Sequence, residues 1–452
     1  MAFVIVGCGS RGAEDELRRQ AMFGAVLEEA KDGVLLKRIL AGSSAAEGGF
    51  QKGDVVKSLG ERKINDIPSL LAALAGRRAG DRVVVGYQRD GQSKQVSVTL
   101  KEKIREQGKG YEVIYGSVKN GDFRQRTIAT RPRGEGRHPA VLFLQGGHTC
   151  FPVDDIIGRP SAFVRITQHL ARHGYVTMRV ERPGCGDSEG GPLRDIDFTT
   201  ELAGNIAAVR ALKQNDYVDP DKVLIYGLSM GGFFAPLIAR EEPVRGIAAY
   251  GTTCGTFFEG VTGQRRRFLL LAGKSPAQVN RENLGHIRFW YQLTVEGKTM
   301  REILDSKLVP QSVLDQWAGE PPYVAGRNES FYHQIADQNL AEMWGKVAQT
   351  PLPGAGEDRF PRVLALLGEF DWHTTHSEGA DWIVQTVNAA SPGQATKVVV
   401  PQSDHFSNHV KSAKESFAVL YGKQPRPTAP FNPAILGILL KWCDATVGKA
   451  KH

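Results

Sequence analysis

"VLIYGLSMGGFFAPLIAR", residues 223–240, sets four apolar residues, a glycine-rich turn and an apolar-periodic helical pattern directly end to end. The order reads as strand, sharp turn and helix. Glycine at 227 and 231 lets the backbones of strand and helix approach closely, and Ser229 sits at the apex of the turn. There its hydroxyl projects from the end of a sheet, and the Met230 N–H opens a helix N-terminus suited to a developing oxyanion. A second Gly-x-Ser-x-Gly, "GDSEGG" at 186–191, lacks this setting. The strand "YVTMRV" ends at Val180, "ERPGC" intervenes, and "GPLRD" behind it carries a proline and no helical face. Ser188 is therefore expected in a loop, as a turn residue.

Around the elbow the chain is strand-rich in a regular way. "AVLFLQ", "YVTMRV", "KVLIYG", "GIAAYG", "VLALLG" and "KVVVP" are apolar runs separated by helical patterns, which predicts a mostly parallel sheet covered on both faces. "YEVIYGSVKNGDFRQRTIATRP" at 111–132 reads as an opening antiparallel hairpin. From Thr256 to Arg362 the pattern changes to amphipathic helices such as "MREILDSKLV" and "SVLDQW", with no clear strand. An insertion of that size between two sheet strands most simply folds as a helical cap over the strand ends.

At 452 residues, with 41% hydrophobic and 23% charged residues, the chain has room for two or three domains. No apolar run approaches the length that spans a bilayer, so no transmembrane segment is expected. The net charge of +8 is dispersed, and its densest stretch, "GQRRRF" at 263–268, lacks the aromatics and basic stripe of a nucleic-acid surface. No nucleic-acid partner is expected, and those arginines read as a solvated cap helix unless they face the cleft. Cys8, Cys150, Cys185, Cys254 and Cys443 show neither CxxC spacing nor a His/Cys ligand pattern, which predicts no disulfide framework and no zinc site.

With these residues in view, the chain from about 110 to 447 resembles an α/β-hydrolase. "RPGCGDSEGG" is similar to the family's loop after its fourth strand, with Ser188 shaping the site. The resemblance implies a Ser-Asp-His order along the chain. A serine hydroxyl needs a base, and the base an orienting carboxylate. "VLALLGEFDW" puts Asp371 at a strand end where the family carries its acid, with Glu369 and Asp404 as rivals. "KVVVPQSDHFSNH" supplies His405, in a familiar Asp-His-Phe setting, with His409 as competitor. "QGGHTCFP" resembles the family's His-Gly-Gly stretch with Gln145 in the histidine's position. It nominates the Gly147 N–H as second oxyanion donor beside Met230, or His148 if the loop is one residue longer. His373 and His376 in "DWHTTH" have metal-compatible spacing, but read as surface polar residues opening a helix. The implied chemistry requires no cofactor and no metal.

Residues 21–103 form a separate unit. "GVLLKRIL" predicts a strand, "AGSSAAEGGFQKGDVVKSLGERKI" helix, turn and strand, "DIPSLLAAL" a helix, and "DRVVVGYQRDG" with "KQVSVTL" a hairpin. This order, above all "GSSAAEGGFQKGDV" from Gly42 to Val55, resembles a PDZ domain of the bacterial type. Such domains add a peptide C-terminus as a strand, its carboxylate caught by backbone N–H groups. By resemblance that loop is Met22, Phe23, Gly24 and Ala25, where "MFGAV" replaces the usual Gly-Leu-Gly-Phe. Peptide binding and a purely architectural role both stand. Residues 104–110 read as a linker, 111–450 as the hydrolase domain with its cap at about 256–361, and 1–20 as an N-terminal arm. Ile5-Val6-Gly7-Cys8 in that arm resembles a lipobox, with seven residues before the cysteine and none of them basic. Either the true start lies upstream and Cys8 anchors an envelope lipoprotein, or the arm packs on the next domain of a cytoplasmic protein.

The function these residues imply is cleavage of a carboxylic ester by a serine acyl-enzyme route. The alternatives are a peptidase of the aminopeptidase or prolyl-oligopeptidase kind, aided by the PDZ-like unit, and a PDZ-based scaffold with an inactive hydrolase domain.

Overall fold

The computed structural model describes residues 16–151, 153–154, 161–352, 359–374, 377–423 and 426–449. Cys8 and the lipobox reading lie outside them, as does His376. The chain forms two compact units, one built on residues 16–106 and one from 107 onward.

The first unit is a curled antiparallel sheet of Ala25–Ala30, Gly33–Ile39, Val55–Leu59, Arg82–Arg89 and Gln92–Thr99, with Arg62–Lys63 paired to Val55–Leu59. Helices Ser44–Glu47 and Ile67–Leu74 complete it. Val34, Leu36, Val56 and Val85 point inward from their strands and are fully buried, which fixes the register, and Leu70 from the helix packs on them. Gly53 at φ +102° delivers Asp54, whose buried carboxylate is held by Arg89 through two bonds of 2.7 Å. The expected strand, helix and hairpin segments are present. The strand Ala25–Ala30 was not foreseen, because "AVLEEA" shows no apolar alternation.

The second unit centres on an eight-stranded sheet. Its strands are β1 (Tyr111–Asn120), β2 (Phe123–Pro132), β3 (His138–Leu144), β4 (Val176–Val180), β5 (Val218–Leu228), β6 (Gly246–Tyr250), β7 (Arg362–Gly368) and β8 (Ala395–Val400). They lie in the order β8-β7-β6-β5-β3-β4-β2-β1, parallel except where β2 pairs with β1 and β4. The core strands are apolar on both faces because both are covered. Leu142, Leu144, Val223, Ile225, Ile247 and Ala249 point to one layer; Val141, Phe143, Leu224, Tyr226, Ala248 and Tyr250 point to the other. Helix α1 (Ala162–Arg172) carries the chain from β3 to β4, and α2 (Phe198–Lys213) returns it to β5 on the other side of β3. The reversal at β3 makes a topological switch point at the carboxyl ends of β3 and β5, where α/β sheets place their sites.

Among the described residues, six helices occupy the insertion between β6 and β7: α4 (Phe257–Leu271), α5 (Pro276–Thr294), α6 (Met300–Ser306), α7 (Gln311–Trp317), α8 (Glu329–Ala336) and α9 (Leu340–Gln349). Thr256, Ser275 and Thr299 start three of them with reciprocal capping boxes. One expectation is corrected: Tyr323–Val324 and Arg327–Asn328 pair as an antiparallel ribbon within this insertion. Two-residue strands are too short to leave a periodic signal.

A second correction concerns the cysteines. Cys150, in the loop after β3, and Cys185, in the loop after β4, form a disulfide with Cα atoms 5.5 Å apart. The adjacent parallel strands β3 and β4 bring these loops together, a proximity that a separation of 35 residues does not announce. Cys254 and Cys443 are free and buried. Closing a loop of 35 residues is worth about 4 kcal/mol of chain entropy in the unfolded state. Accordingly, thiol titration of denatured, unreduced protein, read by peptide mapping, is expected to find Cys254 and Cys443 reactive and Cys150 and Cys185 unreactive. Replacing Cys150 and Cys185 with alanine should lower the unfolding free energy by up to that amount in urea titrations.

Candidate active site

Residues β5 to the next helix, α3 (Met230–Glu241), make the elbow. Ser229 sits between them at φ 53° and ψ −114°, a conformation a serine keeps only when its surroundings impose it. A Cβ at 227 would lie 2.5 Å from the Gly231 backbone, and one at 231 only 2.2 Å from the Leu144 carbonyl oxygen. No side chain fits at either position. The Ser229 N–H donates to the Tyr250 carbonyl at 2.8 Å, and the Ser229 carbonyl accepts from Gly232 at 2.9 Å, so the turn is tied to β6 and to α3. Ser229 and Met230 remain partly exposed at the sheet edge.

Ser188 has a different setting. Its buried Oγ accepts the N–H of Arg126 on β2 at 2.9 Å and lies 3.4 Å from the Glu181 carbonyl. Its hydroxyl is committed to joining the loop to the sheet. Arg126 in turn is buried among Asp154, Glu181 and Asp187.

After β7, the Asp371 N–H turns back to the Gly368 carbonyl and the Phe370 N–H bonds Ser403 in the loop that follows β8. These crossings bring the two loops together, and His405 Nδ1 lies 2.8 Å from Asp371 Oδ2. Asp371 Oδ1 accepts from the N–H groups of His373 and Thr374. Both members of the pair are buried. Burial pushes the Asp371 carboxyl up, but His405 beside it, together with His373, outweighs burial and holds it below the ordinary range. For His405 burial disfavours the charge, and Asp371 more than offsets it, raising the imidazole above 6.5. Gly251, at φ +56°, lets β6 end against this pair, since a Cβ there would lie 2.6 Å from Asp371 Oδ2 and 2.8 Å from His405 Nδ1.

The rival residues have other work. Asp404 accepts the N–H groups of Phe406 and Asn408 and the Ser416 hydroxyl, shaping the loop that carries His405. Glu369 accepts the Gln402 N–H at the surface, and His409 pairs through its backbone with Pro430 and Ser403. His373 corrects the sequence reading: it is not a surface residue but is buried, its ring stacked on His405 at 5.0 Å and 13°. Burial, and next His405, keep it neutral down to about 3. Among the described residues, no cluster of three or more His, Cys, Asp or Glu is arranged to hold a metal.

Gly146 faces the elbow, a Cβ there coming within 3.0 Å of Ser229 Cβ, and Gly147 follows at φ +68°. The loop's carbonyls are held by Arg182 and Arg327, two residues the sequence reading left without a role. Arg182 stood within the quoted "RPGCGDSEGG"; Arg327 carries no local signal. In the first unit, the carbonyls of Met22, Phe23 and Gly24 are engaged by Ser44 Oγ, the Ala45 N–H and Ser43 Oγ respectively, and Ala25 begins the next strand. Gly24 adopts φ +83° against Ser43.

Comparison with known proteins follows the same division. The PDZ domain family matches residues 21–100, and the alpha/beta hydrolase family matches residues 140–418, more than half of the chain. The quorum-quenching protein AidA of Acinetobacter baumannii (strain MDR-ZJ06) is 26% identical over 114 residues, 25% of this chain and 34% of that protein. The periplasmic serine endoprotease DegP of Escherichia coli (strain K12) is 28% identical over 92 residues, 20% of this chain and 19% of that protein. The chain thus spans about a third or less of these relatives' length. Among solved structures, Est1E from Butyrivibrio proteoclasticus superposes with a TM-score of 0.41 at 12% identity, covering 64% of this chain and 90% of that one. No helix among the described residues is long and apolar enough to cross a membrane. The chain belongs to the alpha/beta hydrolase family, and it carries a PDZ domain ahead of the hydrolase unit.

Proposed function

We propose that this protein is a serine hydrolase that cleaves a carboxylic ester through an acyl-enzyme, with Ser229 as nucleophile, His405 as base and Asp371 as its orienting acid. The observation that carries the reading is the buried 2.8 Å contact between Asp371 and His405, in a chain whose partly exposed strand-to-helix turn holds a serine at positive φ. With Nδ1 engaged by Asp371, Nε2 is the basic nitrogen of His405. It takes the Ser229 proton as Oγ attacks the substrate carbonyl, and Asp371 stabilises the imidazolium that forms. The N–H groups of Met230 and Gly147 receive the negative charge on the carbonyl oxygen. His405 returns the proton to the departing alcohol, and water, activated by the same imidazole, releases the acid. The route calls for no cofactor. The PDZ domain supports a second reading, a peptidase that receives a polypeptide end at Met22, Phe23, Gly24 and Ala25.

A fluorophosphonate probe should label the wild-type protein and Ser188→Ala, but not Ser229→Ala, read by mass spectrometry of the adduct. Labelling that persists in Ser229→Ala would assign the nucleophile elsewhere, and an unlabelled wild type would favour the scaffold. Initial rates on paired p-nitrophenyl esters and peptidyl anilides then rank the two substrates, with the ester expected to be faster by more than about tenfold.

Catalysis needs His405 neutral, so activity should fall as the pH drops through a pKa above the ordinary 6.5. In Asp371→Asn, burial remains while the charge that offsets it is gone. The acid limb should move to lower pH, and kcat should fall by roughly 10³- to 10⁴-fold. A limb that stays in place in pH–rate profiles would remove Asp371 from the pair's titration.

A further inference from the structure

Five consecutive carbonyls after β3, those of Gln145, Gly146, Gly147, His148 and Thr149, accept hydrogen bonds from just two guanidinium groups. Arg182 reaches Gly146 at 3.2 Å and Thr149 at 2.7 Å through Nη1, and Gln145 at 3.4 Å and Gly147 at 2.6 Å through Nη2. Arg327, from the cap ribbon, reaches His148 at 3.0 Å through Nη1. Glu201 on α2 joins them: Oε1 accepts from Arg182 Nε at 2.5 Å and Oε2 from Arg327 Nη2 at 3.0 Å. Arg327 also donates to the Ile196 carbonyl and stacks 4.0 Å over the Phe331 ring.

All three charges are out of water, at 4%, 3% and 0% exposure for Arg182, Glu201 and Arg327. Two cations against one anion leave an excess positive charge, and in a buried site an uncompensated charge is costly. The five carbonyl dipoles supply the missing negative potential. Planar forks with five donors each are suited to this; an ammonium cannot span so many acceptors. His148 lies between the two arginines and is kept neutral down to about 4 by burial and by their charge, so it adds no third cation.

The direction of the amide protons follows. In a trans peptide unit the carbonyl and the next residue's N–H point in opposite directions. Each carbonyl held by an arginine therefore turns the following N–H away from it, including the Gly147 N–H behind the Gly146 carbonyl. We propose that Arg182, Glu201 and Arg327 are positioning residues that aim the oxyanion donors of this loop, and that Arg327 makes their aim depend on the seating of the cap. This rests on the ester-hydrolase reading for its catalytic consequence, while the loop geometry is tested independently of it.

Arg327→Met removes the bond to His148 and leaves Arg182 and Glu201 as a neutral pair; Arg327→Lys keeps the charge without the fork. Each is compared with wild type after circular dichroism verifies the fold. Backbone ¹⁵N order parameters at Gly146–Cys150 should fall clearly in Arg327→Met, whatever the substrate; unchanged order parameters overturn the positioning role. For a matched ester and thionoester, kcat on the ester should fall about 10- to 100-fold with KM within twofold. The ester-to-thionoester rate ratio should fall with it, because sulfur draws less on the oxyanion donors. Arg327→Lys should recover only part of either loss. Equal losses on both substrates, or none on the ester, overturn the coupling. A wild type whose loop is ordered but which hydrolyses no ester defeats the substrate reading alone. Arg327→Lys serves as the second variant if Arg327→Met does not fold, with smaller changes in the same direction expected for the order parameters and the rate ratio.

Discussion

Everything around Ser229 at the carboxyl end of the sheet depends on how closely β5, α3 and β3 approach one another. Gly231 rests against the Leu144 carbonyl, and Gly227 against the backbone of the helix that begins one turn later. That crowding leaves Ser229 no ordinary conformation and tips it out of the sheet at positive φ. Because Leu144 is the last residue of β3, the same contact fixes where the next loop starts, and so where its N–H groups stand relative to Ser229. Strain at one serine is sustained by packing among three elements.

The electrostatics around this end of the sheet follow one rule applied twice. Asp371 and His405 share a buried site in which each alone would be driven neutral, and each keeps the other's charge available. Glu201 is fully buried too: burial works against its charge, and Arg182 and Arg327 prevail. In the first case the paired charge can move a proton; in the second it cannot, because guanidinium does not titrate in the working range. One cluster is suited to chemistry and the other to holding shape.

How much of this was legible in the sequence depended on the range of each signal. The elbow and the sheet strands are written in short local patterns, so apolar runs and glycine positions suffice to find them, whereas Asp371 and His405 stand out from the loops after two such strands only through the family resemblance. Most of the PDZ domain was readable for the same reason, whereas Ala25–Ala30 hides behind two glutamates that face solvent. Long-range pairings left no trace. Arg327 meets Glu201 across 126 residues, and Cys150 meets Cys185 only because β3 and β4 are neighbours. His373 was misread as exposed, since its burial comes from Trp372, His405 and Phe406 packing around it in the folded loop.

The disulfide acquires a meaning from where its ends fall. Cys150 directly follows Thr149, whose carbonyl accepts from Arg182, and Cys185 lies three residues beyond that arginine. A bond through sulfur thus closes a small ring that already contains the guanidinium and its acceptor. Within such a ring the arginine and the carbonyls meet at an effective concentration set by a few covalent bonds instead of by two independently wandering loops. The cost of ordering the loop is met when the sulfurs join, before any substrate arrives.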